Sequence, residues 1–330
     1  MWFKKLTGFE EKSPENVRKN LVIEGQSLLS KVNGKSYQYG ELEVVSLEQF
    51  RDEGKINLKS FSDKIKVSEV VGDIQELHSN PANQNALFQV ASQFNLLEMA
   101  SPEVTPEQGV DIYDRDFTQG PACAIACGAS TIYRNYFANV NGKIGQTRHN
   151  QINCLEDIGA ALKNDKLQLW EMKNGYALAS QEGLLNINKQ LRKLSNNQRE
   201  ELKGKLKIGL QWNAEVTISD SNQNVSQAYC SALPVAYSHI DFFYWENFAG
   251  LILEATYEAT LYSALKNYEK SNKVFLTLVG GGAFGNETNW ILDSLFGAIE
   301  KFKHIPLDIR IVSYGSSNAL LKNNIDNYLI

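Results

Sequence analysis

Val274-Phe275-Leu276-Thr277-Leu278-Val279-Gly280-Gly281-Gly282-Ala283-Phe284-Gly285-Asn286 is the stretch whose reading sets the fold class. Its first six residues are apolar and rich in β-branched side chains, which reads as a buried strand, and the glycines then break it sharply. Beyond them Ile291, Leu292, Leu295, Phe296, Ile299 and Phe302 recur at helical spacing, the pattern of one apolar helix face. The glycines therefore sit between a strand end and a helix start, where backbone N–H groups lack partners and an anion is favoured. Without Cβ atoms, three consecutive glycines let a ligand approach the backbone closely. The stretch is a candidate phosphate cradle, although a tight strand-to-helix connection needs glycine even without a ligand.

Working outward, Phe248, Leu251, Ile252, Ala255, Ala259 and Tyr262 form a helix face before the strand, and Leu307, Ile309 and Ile311 alternate as a strand after the second helix. Helix, strand, helix, strand implies crossover connections and a partly parallel sheet. Ligands of such sheets bind beyond the carboxyl ends of the strands. Further strands are expected at Leu42 to Leu47, Ile65 to Val71, Ala86 to Ala91, Leu206 to Ile218 and Ala228 to Tyr237. Asn33-Gly34 and Asn174-Gly175 are hairpin turns by composition. Ser195 with Gln198 forms a capping-box pattern. Pro121 opens a helix of small residues running to Ala129, preceded by an acidic connection from Ser101 to Gln119.

The 330 residues suffice for a large core, and 43% hydrophobic with 22% charged residues is an ordinary globular composition. A net charge of −5 offers no basic footprint, which argues against nucleic acid as the main partner. Cys123, Cys127, Cys154 and Cys230 lie in apolar surroundings without zinc-type spacing and read as small buried hydrophobes in a reducing compartment. No apolar run approaches the ~18 residues of a membrane span, and Met1 to Lys5 lacks the apolar core of a secretory leader. A cytoplasmic protein with no cofactor and no metal is expected.

Three segments, in this order, resemble the macrodomain family of ADP-ribose-binding modules. Val70-Val71-Gly72-Asp73-Ile74 is similar to that family's Gly-Asp-Ile at the end of an early strand. Ala86 to Asn95 resembles the following strand and its Asn-rich loop, with Ser92-Gln93-Phe94-Asn95 in the loop position. Gly280 to Gly285 resembles the late diphosphate loop, with Phe284 at its aromatic position. Among elaborated members the plan is distantly similar to poly(ADP-ribose) glycohydrolases. It departs from them in two ways: Asp111 to Pro121 replaces the first Gly-rich loop, and no Glu-Glu pair lies near Asn95. The resemblance implies a three-layer α/β/α macrodomain-like fold with a mixed sheet. Residues 1–60 are then an N-terminal extension, and 61–330 are the ligand-binding domain with an insertion at about 135–245.

The same resemblance implies binding of an ADP-ribose-type nucleotide or an ADP-ribosylated protein. Gly280, Gly281, Gly282, Ala283, Phe284, Gly285 and Asn286 would hold the diphosphate, with extra anion contacts from Gln119. Asp73 would accept from adenine with Ile74 against the ring, and Asn95 would meet the distal ribose. Asp73 also reads as a helix N-cap, and Asn95 as a turn former. Hydrolysis of an ADP-ribosyl bond needs a carboxylate near the anomeric carbon, for which Asp111, Asp114 and Asp116 are the candidates, with Glu103 and Glu107 behind them. A solvated acidic loop is the plainer reading of that run. Two alternatives remain: a non-catalytic reader sharing every binding residue, and a thiol hydrolase built on Cys123 with His149 or His239.

Overall fold

The computed structural model describes residues 1–54, 64–219 and 222–328; the domain boundary expected near residue 60 lies outside them. A seven-stranded sheet forms the centre: β1 (Glu41–Ser46), β2 (Lys66–Val71), β3 (Leu87–Ala91), β4 (Lys207–Glu215), β5 (Asn224–Cys230), β6 (Lys273–Leu276) and β7 (Asp308–Ser313). Their order is β1-β4-β5-β3-β6-β7-β2. From β5 to β2 every neighbouring pair is parallel, whereas β4 runs antiparallel to both β5 and β1. The sheet is mixed, as expected.

The helices around it include α1 (Leu47–Gly54), α2 (Ile74–Ser79), α3 (Gln119–Ala126), α4 (Gly128–Tyr136), α5 (Gln181–Leu191), α6 (Asn196–Gly204), α7 (Phe242–Asn267), α8 (Thr288–Lys301) and α9 (Ala319–Tyr328). Strand alternation sends neighbouring side chains to opposite faces, and the contacts identify both outer layers. On one face His78 of α2 stacks on Phe88 with ring centroids 3.8 Å apart, Gln227 donates to the Cys123 carbonyl of α3, and the Arg134 guanidinium of α4 lies 3.7 Å from the Tyr229 ring centroid. On the other, Gln89 Nε2 donates to Thr260 Oγ1 of α7, which also meets Cys230. Helices thus cover both faces, giving three layers. The 26-residue α7 is apolar on nearly every side because it is buried between the sheet and the helices outside it.

The stretches read as extension and insertion are woven into this sheet: β1 comes from within 1–60, and β4 and β5 from within 135–245. Several element limits also move. The strand expected from Ala228 to Tyr237 is β5, starting at Asn224 and leaving the sheet after Cys230 toward Pro234 and a short 3-10 turn at Val235–Tyr237. The helix expected from Pro121 to Ala129 breaks at Cys127, where Thr217 accepts from the Gly128 N–H and donates its own N–H to the Ala126 carbonyl. β6 stops at Leu276 because the Thr277 N–H turns to the Gln89 side chain. The Asn174-Gly175 hairpin and the Ser195 capping box form where the sequence puts them.

Candidate functional site

A cleft of about 180 Å³ opens beyond the carboxyl ends of β3, β5 and β6, the position expected for a ligand of a parallel sheet. One wall is the loop after β6. Gly280, Gly282, Ala283 and Phe284 line the cleft, and among the described residues no acceptor meets their N–H groups. Gly281 is turned away and spends its N–H on the Leu278 carbonyl 3.1 Å off. The loop is closed by Asn286, buried behind it, whose Nδ2 donates to the Leu233 carbonyl at 2.8 Å and the Gly280 carbonyl at 3.3 Å. Gly280 has φ +81°, and a Cβ there would meet Ala232 Cβ at 2.5 Å, so only glycine suits it. Gly285 packs against Ala236 outside the cleft. Of the predicted cradle, four residues line the cleft with N–H groups that have no acceptor among the described residues, while Gly281, Gly285 and Asn286 are absent from its lining.

The opposite wall is the loop after β3 and the start of α3. The Gln93–Met99 turn is closed on itself: Gln93 N–H donates to the Leu97 carbonyl, Leu97 N–H to Asn95 Oδ1, and Met99 N–H to Gln93 Oε1. Asn95 is therefore fully buried, its Nδ2 also engaged by Gln151 at 2.9 Å, and it shapes the loop instead of reaching a ligand. This corrects the expectation for a ribose contact. The hairpin at Asn174-Gly175 braces the turn from behind, with Phe94 N–H donating to the Gly175 carbonyl and Tyr176 Oη to the Met99 carbonyl at 2.6 Å. Tyr176, Tyr237 and Phe284 then form an aromatic corner, with centroids 5.0 to 5.7 Å apart.

That turn delivers the residue sequence reading missed, Glu98. Its side chain lines the cleft and is 3% exposed, and Oε1 has no hydrogen-bond partner among the described residues. Burial pushes its carboxyl well above the usual carboxylate range; the Arg134 guanidinium opposes the shift and Asp116 adds to it. Burial thus favours the neutral, protonated form of a carboxyl that lines a cavity, the direction a proton donor needs. The signal was faint in the sequence: one glutamate three residues after Asn95, without the second acid of the sought pair.

The acidic loop divides. Asp116 lines the cleft mouth, where its Oδ1 accepts from the N–H and Oγ1 of Thr118. Asp111 accepts from the Phe3 N–H at 3.2 Å, and Asp114 pairs with the Met1 amine at 3.0 Å, so both fasten the N-terminal segment and neither lines the cleft. Gln119 lines it but is committed: Oε1 accepts from Ala91 N–H at 2.9 Å and Nε2 donates to the Gln89 carbonyl at 2.8 Å, extending the β3 edge. It anchors α3 and is not free for an anion. Asp73 caps α2, its Oδ1 accepting from Gln75 and Glu76, and Ile74 is buried in the core; neither lines the cleft. They lie at the carboxyl end of β2, on the same edge of the sheet. Tyr314, 82% exposed, follows the carboxyl end of the neighbouring β7.

Cys123 is fully buried, and burial together with the nearby Glu98 pushes its thiol well above the ordinary range. Buried away from the cleft lining with its thiolate disfavoured, Cys123 lacks the exposed, activated setting that the thiol-hydrolase reading needs. Among the described residues no three His, Cys, Asp or Glu side chains converge as a metal site, and no helix is long and apolar enough to cross a membrane.

No family model matches the chain. No curated protein matches it in sequence. Among solved structures the chain is similar to poly(ADP-ribose) glycohydrolase from Thermomonospora curvata, at 10% identity over 96% of this chain and 94% of that one, with a TM-score of 0.44. The same enzyme bound to the inhibitor ADP-HPD aligns at 11% identity over 95% of each chain, with a TM-score of 0.45. Poly(ADP-ribose) glycohydrolase from Deinococcus radiodurans in complex with ADP-ribose aligns at 9% identity over 88% of this chain and 94% of that one, with a TM-score of 0.44.

Proposed function

We propose that the cleft binds an ADP-ribose-type nucleotide and hydrolyses the bond between its distal ribose and a leaving group. The observation that carries the reading is the pairing of two unsatisfied features across one cavity: free backbone donors at Gly280, Gly282, Ala283 and Phe284, and the buried carboxyl of Glu98. Such donors suit a diphosphate. A carboxylic acid kept neutral by burial suits protonation of a leaving group.

In this reading the diphosphate lies on the post-β6 loop, with the orphan N–H groups at the start of α3 facing it. The distal ribose fills the corner of Tyr176, Tyr237 and Phe284. Glu98 gives its proton to the leaving heteroatom as the anomeric carbon–heteroatom bond breaks. Water adds to the anomeric carbon and passes its proton to Asp116, which releases it to solvent, and solvent in turn reprotonates Glu98. The products are ADP-ribose and the freed acceptor group. Both hydrogen bonds to Asp73 end on Oδ1, which leaves Oδ2 for the adenine amino group, with Tyr314 as a face for the ring. A cytoplasmic setting fits the four buried, unpaired cysteines.

Isothermal titration with ADP-ribose, with AMP and NAD as comparisons, tests the binding half. Gly282→Glu is the matched variant, because a Cβ at Gly282 meets nothing within 4 Å and the added charge faces the cradle. Binding by the wild type that vanishes in the folded variant supports the site. Equal affinity in both overturns it.

A further inference from the structure

We infer that Arg134 is the positioning residue for Glu98, its buried guanidinium supplying the counter-charge that receives the carboxylate each time the acid gives up its proton. The inference rests on the reading of Glu98 as the acid of the cleft. Arg134 is fully enclosed by the fold. Other buried charges in this protein are paired: Lys203 lies between Glu200 and Glu254, and Glu258 between Arg51 and Lys301. The guanidinium of Arg134 meets only neutral groups. Its Nε donates to the Leu96 carbonyl at 3.2 Å and its Nη2 to Thr131 Oγ1 at 3.0 Å, while its flat face lies 3.7 Å from the Tyr229 ring centroid. Nη1 is buried and has no hydrogen-bond partner among the described residues. A buried cation left in this way is costly unless an anion stands near it.

The fold brings Glu98 to the same place. The Leu96 carbonyl that takes Nε belongs to the turn that delivers Glu98 two residues later. Tyr229, under the guanidinium, is the β5 residue opposite Val90 of β3. The Glu98 carboxyl stands by the next β3 residue, since a Cβ at Gly120 would meet both Glu98 Oε2 and the Ala91 carbonyl oxygen. Glu98 Oε1 is itself a buried atom without a partner among the described residues. One orphan is a charged donor, and the other is an acceptor that turns negative on deprotonation.

The groups that face Glu98 come from every element around it: Tyr113, whose Oη accepts the Glu98 N–H at 3.0 Å, Asp116, Cys123 of α3, Arg134 of α4, Tyr176 of the hairpin and Tyr229 of β5. Of these six, Arg134 alone is a cation, and Asp116 carries the same sign as a glutamate. When Glu98 protonates the leaving heteroatom, the anion left behind is enclosed. Burial opposes that step and Arg134 offsets it, so the proton can leave and return in each turnover. Two donors fixed on Leu96 and Thr131 hold the planar fork in place and keep the third free, which a lysine ammonium does not reproduce.

The test titrates Glu98 in the full chain without ligand. The infrared band of its protonated carboxyl, identified by its loss in Glu98→Gln, is followed with pH in wild type, Arg134→Met and Arg134→Lys. A positive neighbour favours the ionised form, so its removal in Arg134→Met should raise the midpoint by about one pH unit or more. Arg134→Lys, which keeps the charge, should stay closer to wild type. The alkaline limb of kcat/KM on an ADP-ribosylated protein should move the same way. An unmoved midpoint in folded Arg134→Met overturns the inference, as does a shift equally large in Arg134→Lys, because a merely structural role predicts one or the other. Should Arg134→Met fail to fold, nitrogen-15 resonances of the arginine side chains decide: Arg134 should show a pH step in wild type that is absent in Glu98→Gln, and no such step overturns the inference. Titration of wild type with ADP-ribose stands apart from these. A protein that shows the coupling and binds no ADP-ribose upholds the Arg134–Glu98 pair and overturns the reading of the cleft instead.

Discussion

Glu98 and Gly120 are in van der Waals competition: a Cβ built on Gly120 would overlap both Glu98 Oε2 and the Ala91 carbonyl oxygen. The start of α3 thus presses on the carboxyl from one side while the Gln93–Met99 turn delivers it from the other, and the missing side chain at residue 120 is what lets Glu98 occupy the cleft.

Gly120→Ala should therefore displace the carboxyl and, because the new Cβ would also meet the Ala91 carbonyl oxygen, shift the start of α3 against β3. Misplacing a reacting group by around 1 Å costs about 100-fold in rate. A fall in kcat of that order, larger than the accompanying loss of ADP-ribose affinity, is the expected result of steady-state kinetics beside titration. Full turnover in the variant would mean that Glu98 is not the proton donor.

Glu98→Gln keeps shape and removes the proton. Turnover should drop by about 10²- to 10⁴-fold while ADP-ribose still binds. The same variant changes the pH dependence of stability. Because the folded carboxyl keeps its proton to a higher pH than the unfolded one, the native state binds more protons in that window, and stability falls as pH rises above the usual glutamate value. Denaturant titrations between pH 5 and 8, a window of about three units chosen around this effect, should show that slope flatten in Glu98→Gln. An identical slope would contradict a buried neutral acid.

His78 works in the opposite direction. It is fully buried between Ile74 and Phe88, its Nδ1 2.7 Å from the Ile74 carbonyl and its Nε2 3.1 Å from Gln227 Nε2, and burial lowers its pKa to about 4. The folded ring is neutral, donating at Nδ1 and accepting at Nε2, while the unfolded ring takes up a proton below its ordinary value of 6.5. Stability should be fully present above that value and fall by about 3 kcal/mol as pH drops toward 4. The His78→Asn variant should lose this acid-side decline, read as the difference between the two denaturation series.

Asn286→Ala removes the buried clasp on the Gly280 and Leu233 carbonyls. A cost of about 1–3 kcal/mol in unfolding free energy is expected, and ADP-ribose affinity should weaken because the cradle loses its closure. A variant with unchanged melting and unchanged affinity would show that the loop holds its shape without Asn286.

The strand–glycine–helix unit, the mixed parallel sheet and the helical faces were legible because hydrophobic periodicity and glycine placement are local properties. Val274 to Phe302 carries its own strand, turn and amphipathic helix, and Asn174-Gly175 and Ser195/Gln198 specify a hairpin and a cap within a few residues. Tertiary structure alone decided which polar residues face the cleft. Asn95 and Gln119 are as polar in sequence as Glu98, yet packing spends both amides on closing backbone edges. Asp111 and Asp114 are drawn away by the N-terminal segment, over a hundred residues distant, leaving Asp116 at the mouth. Glu98 becomes a candidate acid only because β3, α3, Arg134 and the hairpin enclose it, since burial raises a carboxyl pKa and burial is set by segments far apart in the chain.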